Sequence, residues 1–155
     1  MDGELYRAVA RGTPGTVNAY VDSTVLLRIV LGEPEPLSSW GRIDQAVSSE
    51  LIRLECLRTI DRARVQLRVP DHAVARQRAD VLDALGGVGL VPLNTIVLER
   101  AAEPFPTLIG SLDAIHLASA LLIREQYDGL LFATHDQQLA LAARSMGFEV
   151  AGVTT

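Results

Sequence analysis

Apolar and polar positions along the chain change period several times, and each change marks an element. Val17 to Val21 is a short β-prone run, and Thr24 to Leu31 continues as an apolar helix stopped by Gly32 and Pro34. Ala46 to Ser49 is a second strand, whose serines can cap a helix from Glu50 to about Val69. Pro70 and Asp71 open another helix, closed by Gly86 and Gly87. Val88 to Leu93 is a third strand, with Asn94 as cap of a helix to about Ala102. Pro104, Pro106 and Gly110 form a loop, after which Ser111 caps a helix to about Glu125. Leu130 to Thr134 is a fourth strand, Asp136 starts a helix ended by Gly147, and Phe148 to Val150 is a fifth strand. Strands alternating with helices predict an α/β fold, a five-stranded parallel sheet with helices on both faces. Such sheets bind ligands at the carboxyl ends of their strands, where the strand order switches.

Length and composition narrow this picture. At 155 residues the chain fits one domain. The stretch Arg11-Gly12-Thr13-Pro14-Gly15 predicts a mobile leader over 1–17, ahead of a domain over 18–155. An apolar fraction of 48% with 21% charged residues suits a globular core and argues against disorder. The longest apolar stretch, Ala114 to Ile123, is interrupted by His116 and Ser119 and is too short for a membrane span. Asp2, Glu4, Arg7 and Arg11 stand where a secretion signal would carry a basic start and an apolar block. A single cysteine, Cys56, excludes an intrachain disulfide and a cysteine-based zinc site, so a cytoplasmic protein is expected.

Charge removes further classes. All 14 cations are arginine, which excludes a P-loop and lysine-based Schiff-base chemistry. The net charge of −5 is no general attractant for nucleic acid. Its distribution is uneven. From Arg53 to Arg78, seven arginines face only Glu55, Asp61 and Asp71.

The candidate chemistry is acidic. Asp22 ends the first strand and Asp136 follows the fourth, so both project at one sheet edge. Asp113 lies in the first turn of its helix and Glu55 in the second turn of its own. If those helices begin at the same edge, four carboxylates converge. Two unit charges about 4 Å apart repel by roughly 4 kcal/mol at an effective dielectric near 20. Either some acids are protonated or a hard cation sits among them. Oxygen-only ligands favour Mg²⁺ or Mn²⁺, whose common task is water attack on a phosphodiester. Each acid also has a plainer explanation, as a helix cap, a dipole partner or, for Glu55, a partner of Arg58 or Thr59.

Four blocks occur in order: Ala19-Tyr20-Val21-Asp22-Ser23-Thr24-Val25-Leu26-Leu27, Ser48-Ser49-Glu50-Leu51-Ile52-Arg53-Leu54-Glu55, Ser111-Leu112-Asp113-Ala114-Ile115-His116-Leu117-Ala118-Ser119-Ala120 and Phe132-Ala133-Thr134-His135-Asp136. Together they resemble the PIN-domain proteins of the VapC toxin type, over about residues 18–152. The resemblance implies a PIN-like three-layer fold and a Mg²⁺-dependent endoribonuclease, the toxin of a type II toxin–antitoxin pair that inhibits translation and growth. It further implies a homodimer and a small cognate antitoxin whose C-terminal segment fills the active-site groove. By motif position the acidic quartet falls on Asp22, Glu55, Asp113 and Asp136, with Asp22, Asp113 and Asp136 as metal ligands. Thr134 matches a supporting hydroxyl, and Ser23 and Thr24 match a polar pair after the first aspartate. Gly110 departs from the arginine many relatives carry there, so Arg53 or Arg58 is the candidate to hold the scissile phosphate.

The remaining candidates stay open. His116 either orients Asp113, three residues before it, or packs as a hydrogen-bonded core histidine. His135 is a proton shuttle or an ordinary loop histidine, and Cys56 a small buried hydrophobe. Trp40 suits a partner groove or a plain core. The rival to an enzyme is a PIN-fold module that binds RNA or a partner without cleaving. A haloacid-dehalogenase-like phosphatase is disfavoured because Thr24 replaces the second aspartate of that motif.

Overall fold

A computed structural model describes residues 15–154. Residues 1–14 of the expected leader lie outside the described residues, and Val17 already belongs to the first strand, β1 (Val17–Val21). There follow α1 (Ser23–Val30), β2 (Ile43–Ser49), α2 (Leu51–Leu67), α3 (Asp71–Leu85) and β3 (Val88–Val91). The chain continues with α4 (Thr95–Ala102), α5 (Ser111–Ile123), β4 (Leu131–Ala133), α6 (Gln137–Ser145) and β5 (Val150–Ala151). The strands form one sheet in the order β3-β2-β1-β4-β5, and every neighbouring pair is parallel. The expected α/β class and five-stranded parallel sheet are therefore found.

Alternation along β1 divides the core. Ala19 and Val21 point to one face, where Val25, Ile52, Cys56, Ile60 and Val81 pack. Tyr20 points to the other, against Phe132, Leu117, Ala120, Leu139 and Ala143. With both faces covered, β4 reads as a continuous apolar run and β1 as one broken only by Asn18. The chain leaves β1 for β2 and β3 on one side and returns to β4 and β5 on the other. The switch in strand order therefore lies between β1 and β4, and the segments after those strands open there.

Several boundaries differ from the sequence expectation. β2 starts at Ile43, three residues early, because Val17 pairs with Ile43 and Asn18 with Gln45 across an irregular register. Gly110, not Ser111, occupies the N-cap of α5, and the helix ends at Ile123 in a 3₁₀ turn over Arg124–Gln126. Phe148 precedes β5: Gly147 turns the chain at φ 88°, and Phe148 N–H bonds back to Ala143 O while the ring is buried against Phe132.

Candidate active site

Asp22 leaves β1 as the N-cap of α1, and its carboxylate is only 3% exposed. Oδ1 accepts the hydroxyl of Thr24 at 2.6 Å and the N–H of Val25 at 3.2 Å. Oδ2 accepts the hydroxyl of Thr134 at 2.5 Å. Burial pushes this carboxyl above its ordinary value, against the pull of the Thr134 and Thr24 hydroxyls. The hydroxyl that the structure brings to Asp22 from the polar pair is thus that of Thr24; Ser23 is the first residue of α1 and half-buried.

Thr134 joins two strand ends. While its hydroxyl hydrogen goes to Asp22, its oxygen accepts the N–H of Asp136 at 3.0 Å. Asp136 in turn caps α6, with Oδ1 accepting the N–H of Leu139 at 2.9 Å. His135 between them sends its N–H to Thr24 Oγ1 at 2.9 Å and bonds Gly152 O through Nδ1 at 2.6 Å. A carbonyl only accepts, so Nδ1 carries the hydrogen and the buried Nε2 is left without a partner.

Asp113 stands in the first turn of α5. Its pKa is pushed up to about 6, first by burial and then by the negative charge of Asp136, with Asp22 and Glu55 adding to it. The other three sequence-predicted acids therefore each bear on Asp113 here, at the switch between β1 and β4. Glu55, on the second turn of α2, meets His116 Nε2 through Oε1. His116 is 1% exposed, and its Nδ1 lies 2.7 Å from the hydroxyl of Tyr20. The histidine thus hydrogen-bonds Glu55 rather than Asp113.

The arginines are elsewhere. Arg53 and Arg58 line a surface depression of about 450 Å³ with Leu54, Leu57, Asp61 and Arg78, and none of the four acids borders it. Arg58 is held by Asp61 at 3.0 Å. Tyr20 escaped the sequence reading, although a tyrosine between Ala19 and Val21 in a buried strand must find partners for its hydroxyl. Trp40 packs against the core, and Cys56 is buried there, its thiol raised to about 12 by burial.

An all-oxygen, acidic donor set suits a hard divalent cation. Among the described residues no three such side chains already form a cage for a metal. Asp22 and Glu55 are instead held by protein donors: Asp22 Oδ1 accepts two of them, whereas Asp22 Oδ2 and Glu55 Oε1 accept one each and keep a lone pair for a cation. The repulsion on Asp113, which His116 only partly opposes, is what such an ion would remove. The residues fit the group. Among the described residues, no helix is long and apolar enough to cross a membrane.

Known proteins are similar to this chain. Ribonuclease VapC47 of Mycobacterium tuberculosis (strain CDC 1551 / Oshkosh) is 32% identical over 139 residues, covering 85% of this chain and 94% of its own. A toxin–antitoxin complex from Klebsiella pneumoniae shares the fold, with a TM-score of 0.55 at 19% identity over 89% of this chain and 97% of that one. The PIN domain profile matches residues 19–145, a span that holds all four acids. Sheet order, acid placement and these likenesses agree, and the chain belongs to the PIN-domain family, among its VapC-type members.

Proposed function

We propose that this chain is a divalent-metal-dependent endoribonuclease, the toxin of a type II toxin–antitoxin pair acting in the cytoplasm. The observation that carries the proposal is the gathering of acids at the switch point of the sheet, where Thr134 bridges Asp22 and Asp136 and where burial, then the charges of Asp136, Asp22 and Glu55, push the Asp113 carboxyl up. Asp22, Asp113 and Asp136 would hold Mg²⁺, or Mn²⁺ in its place. A bound ion of this kind activates water and neutralises developing charge on a phosphodiester. The chain's own part is positional. Thr24 and Thr134 fix both oxygens of Asp22, Thr134 also ties Asp136 to it, and Glu55 orients the water or completes the ligand set.

RNA as substrate is supported by the likeness to the ribonuclease VapC47, and an antitoxin partner by the fold shared with the Klebsiella toxin–antitoxin complex. A homodimer is proposed on the family resemblance. The arginines of α2 and α3 give only a local basic surface, so the proposal is selective cleavage of a structured RNA or its single-stranded loop. Because Arg58 is engaged by Asp61, Arg53 is the better candidate for a distant phosphate contact.

Cleavage of total cellular RNA, with and without Mg²⁺ or Mn²⁺, tests the proposal. Wild-type protein should leave 5′-phosphate and 3′-hydroxyl ends only when the ion is present. Asp22→Ala and Asp113→Ala should each abolish cleavage while remaining folded. Ion-independent cleavage, or cleavage that survives both substitutions, would overturn it.

A further inference from the structure

Tyr20 and His116 are fully buried polar side chains on different elements, and neither is one of the four acids. A buried tyrosine and histidine cost stability unless their polar atoms are paired. Many cores solve this with main-chain carbonyls. Here the pairing runs outward to Glu55, which is 17% exposed and sits among the acids.

The direction of each bond follows from donor counting. An ionised Glu55 only accepts, so His116 Nε2 bears the hydrogen shared with Oε1. The Tyr20 hydroxyl accepts the N–H of Ser49 at 3.0 Å and meets His116 Nδ1 at 2.7 Å, donating to it when the ring is neutral. Ser49 ends β2 one residue before the N-cap of α2, so the hydroxyl is anchored where the helix of Glu55 begins. Tyr20 lies edge-on to His116, with centroids 5.8 Å apart at 78°, and stacks on Phe132 at 5.2 Å. Ring packing therefore fixes both members before Glu55 is reached.

From this geometry we infer that Tyr20 and His116 are positioning residues: a relay from the end of β2 through the core that holds one carboxylate oxygen of Glu55 and leaves the other free for the reaction. The inference rests on the nuclease reading for its consequence and on the bonds alone for its existence. A glutamate free to rotate about its side-chain torsions would present its oxygens in many positions. Held by His116, it presents one. Removing such an outer partner typically lowers activity or metal affinity by about 10–100-fold.

Ring ¹H–¹⁵N correlations of the ion-free protein test the relay without reference to activity. His116 should show a protonated, hydrogen-bonded Nε2. Tyr20→Phe should shift its Nδ1 resonance, and Glu55→Gln its Nε2 resonance. A ring protonated on Nδ1 alone, or one that neither substitution moves, overturns the inference. Steady-state cleavage then tests the consequence. Tyr20→Phe and His116→Phe should lower kcat by about 10–100-fold with KM within about twofold. His116→Gln, whose amide can still donate to Glu55, should recover most of kcat. Variants that melt earlier yet keep wild-type kcat when folded, or a His116→Gln no better than His116→Phe, would make the pair structural only and overturn it. If wild-type protein cleaves no RNA, the nuclease reading fails, and the relay stands or falls on the ring spectrum.

Discussion

Thr134 gives its hydroxyl hydrogen to Asp22 and takes the N–H of Asp136, so one side chain couples the ends of β1 and β4. Valine has nearly the same shape and can do neither. Thr134→Val would leave a carboxylate oxygen of Asp22 without that donor at a site that is 0% exposed at Thr134, and it would orphan a cap N–H. Leaving such groups unmet costs about 1–3 kcal/mol, which urea unfolding at neutral pH should read directly. Cleavage should fall by about 10–100-fold, and Thr134→Ser should restore both. Asp113 predicts the opposite pairing of effects. Its carboxylate is repelled by Asp136, Asp22 and Glu55, so the isosteric amide relieves a strain that the acid creates. Asp113→Asn should therefore stabilise the ion-free protein at pH 7.5 by about 1–2 kcal/mol, after allowance for solvent screening, while abolishing cleavage. A lowered unfolding midpoint for this variant would contradict the repulsion.

Two turns show how elements carry the site without touching substrate. Gly152 follows β5 at φ 105°, and a Cβ there would lie 2.4 Å from Thr134 O. Its carbonyl also accepts the bond from His135. Gly152→Ala should lower stability by about 2 kcal/mol or more and should depress cleavage too, because the displaced loop carries Thr134 and Asp136. The C-cap of α2, Arg68, is left-handed at φ 50°, ψ 46°, a conformation that costs any residue with a Cβ. Arg68→Gly should raise the urea midpoint by the equivalent of about 0.5–1 kcal/mol without changing cleavage. Gly152 and Arg68 also mark where sequence stops speaking. Periodicity and cap chemistry were enough for β1, α1, the Asn94 cap and the Asp136 cap, since each is a local preference. They were not enough for β2, whose polar Gln45 pairs with Asn18 of β1 and whose Asp44 falls at the irregularity in the register. Nor did they fix α5, where Ser111 has the chemistry of a cap but Gly110 takes the position. A phenylalanine beside a glycine likewise reads as a strand start, and tertiary packing made it a plug under α6.

The sheet order explains why the acids were legible from the sequence and their partners were not. Strand ends and helix starts in a parallel sheet share one edge, so Asp22, Asp113, Asp136 and Glu55 could be placed together from their positions in elements alone. Which hydroxyl meets Asp22, and which acid meets His116, depends on how helices from opposite faces lean over that edge. Helix spacing put His116 beside Asp113; packing of α5 against β2 turned it to Tyr20 and Glu55. The placement of Arg53 and Arg58 in a separate depression had no signal in the pattern at all. A chain that gathers acids in this way should have a stability tied to pH and, on the proposed function, to cations. Asp113 titrates near 6, raised from the ordinary 3.8, and Asp22 is displaced in the same direction by burial. The folded state then holds more protons than the unfolded one between about pH 4 and 6, so this contribution to stability is complete below that window and is lost as pH rises through 6. A divalent ion can replace the missing protons above it. At a tenfold excess over its Kd, an ion bound only by the folded chain contributes about 1.4 kcal/mol, or about 3–6 °C in a domain of this size. Melting with and without Mn²⁺ should show that rise at pH 7.5 and little of it at pH 5, where protons compete for the same oxygens. Asp113→Asn should flatten both dependences together. An equal rise at the two pH values would mean that the ion binds elsewhere, because only groups that exchange a proton for the cation can link the two.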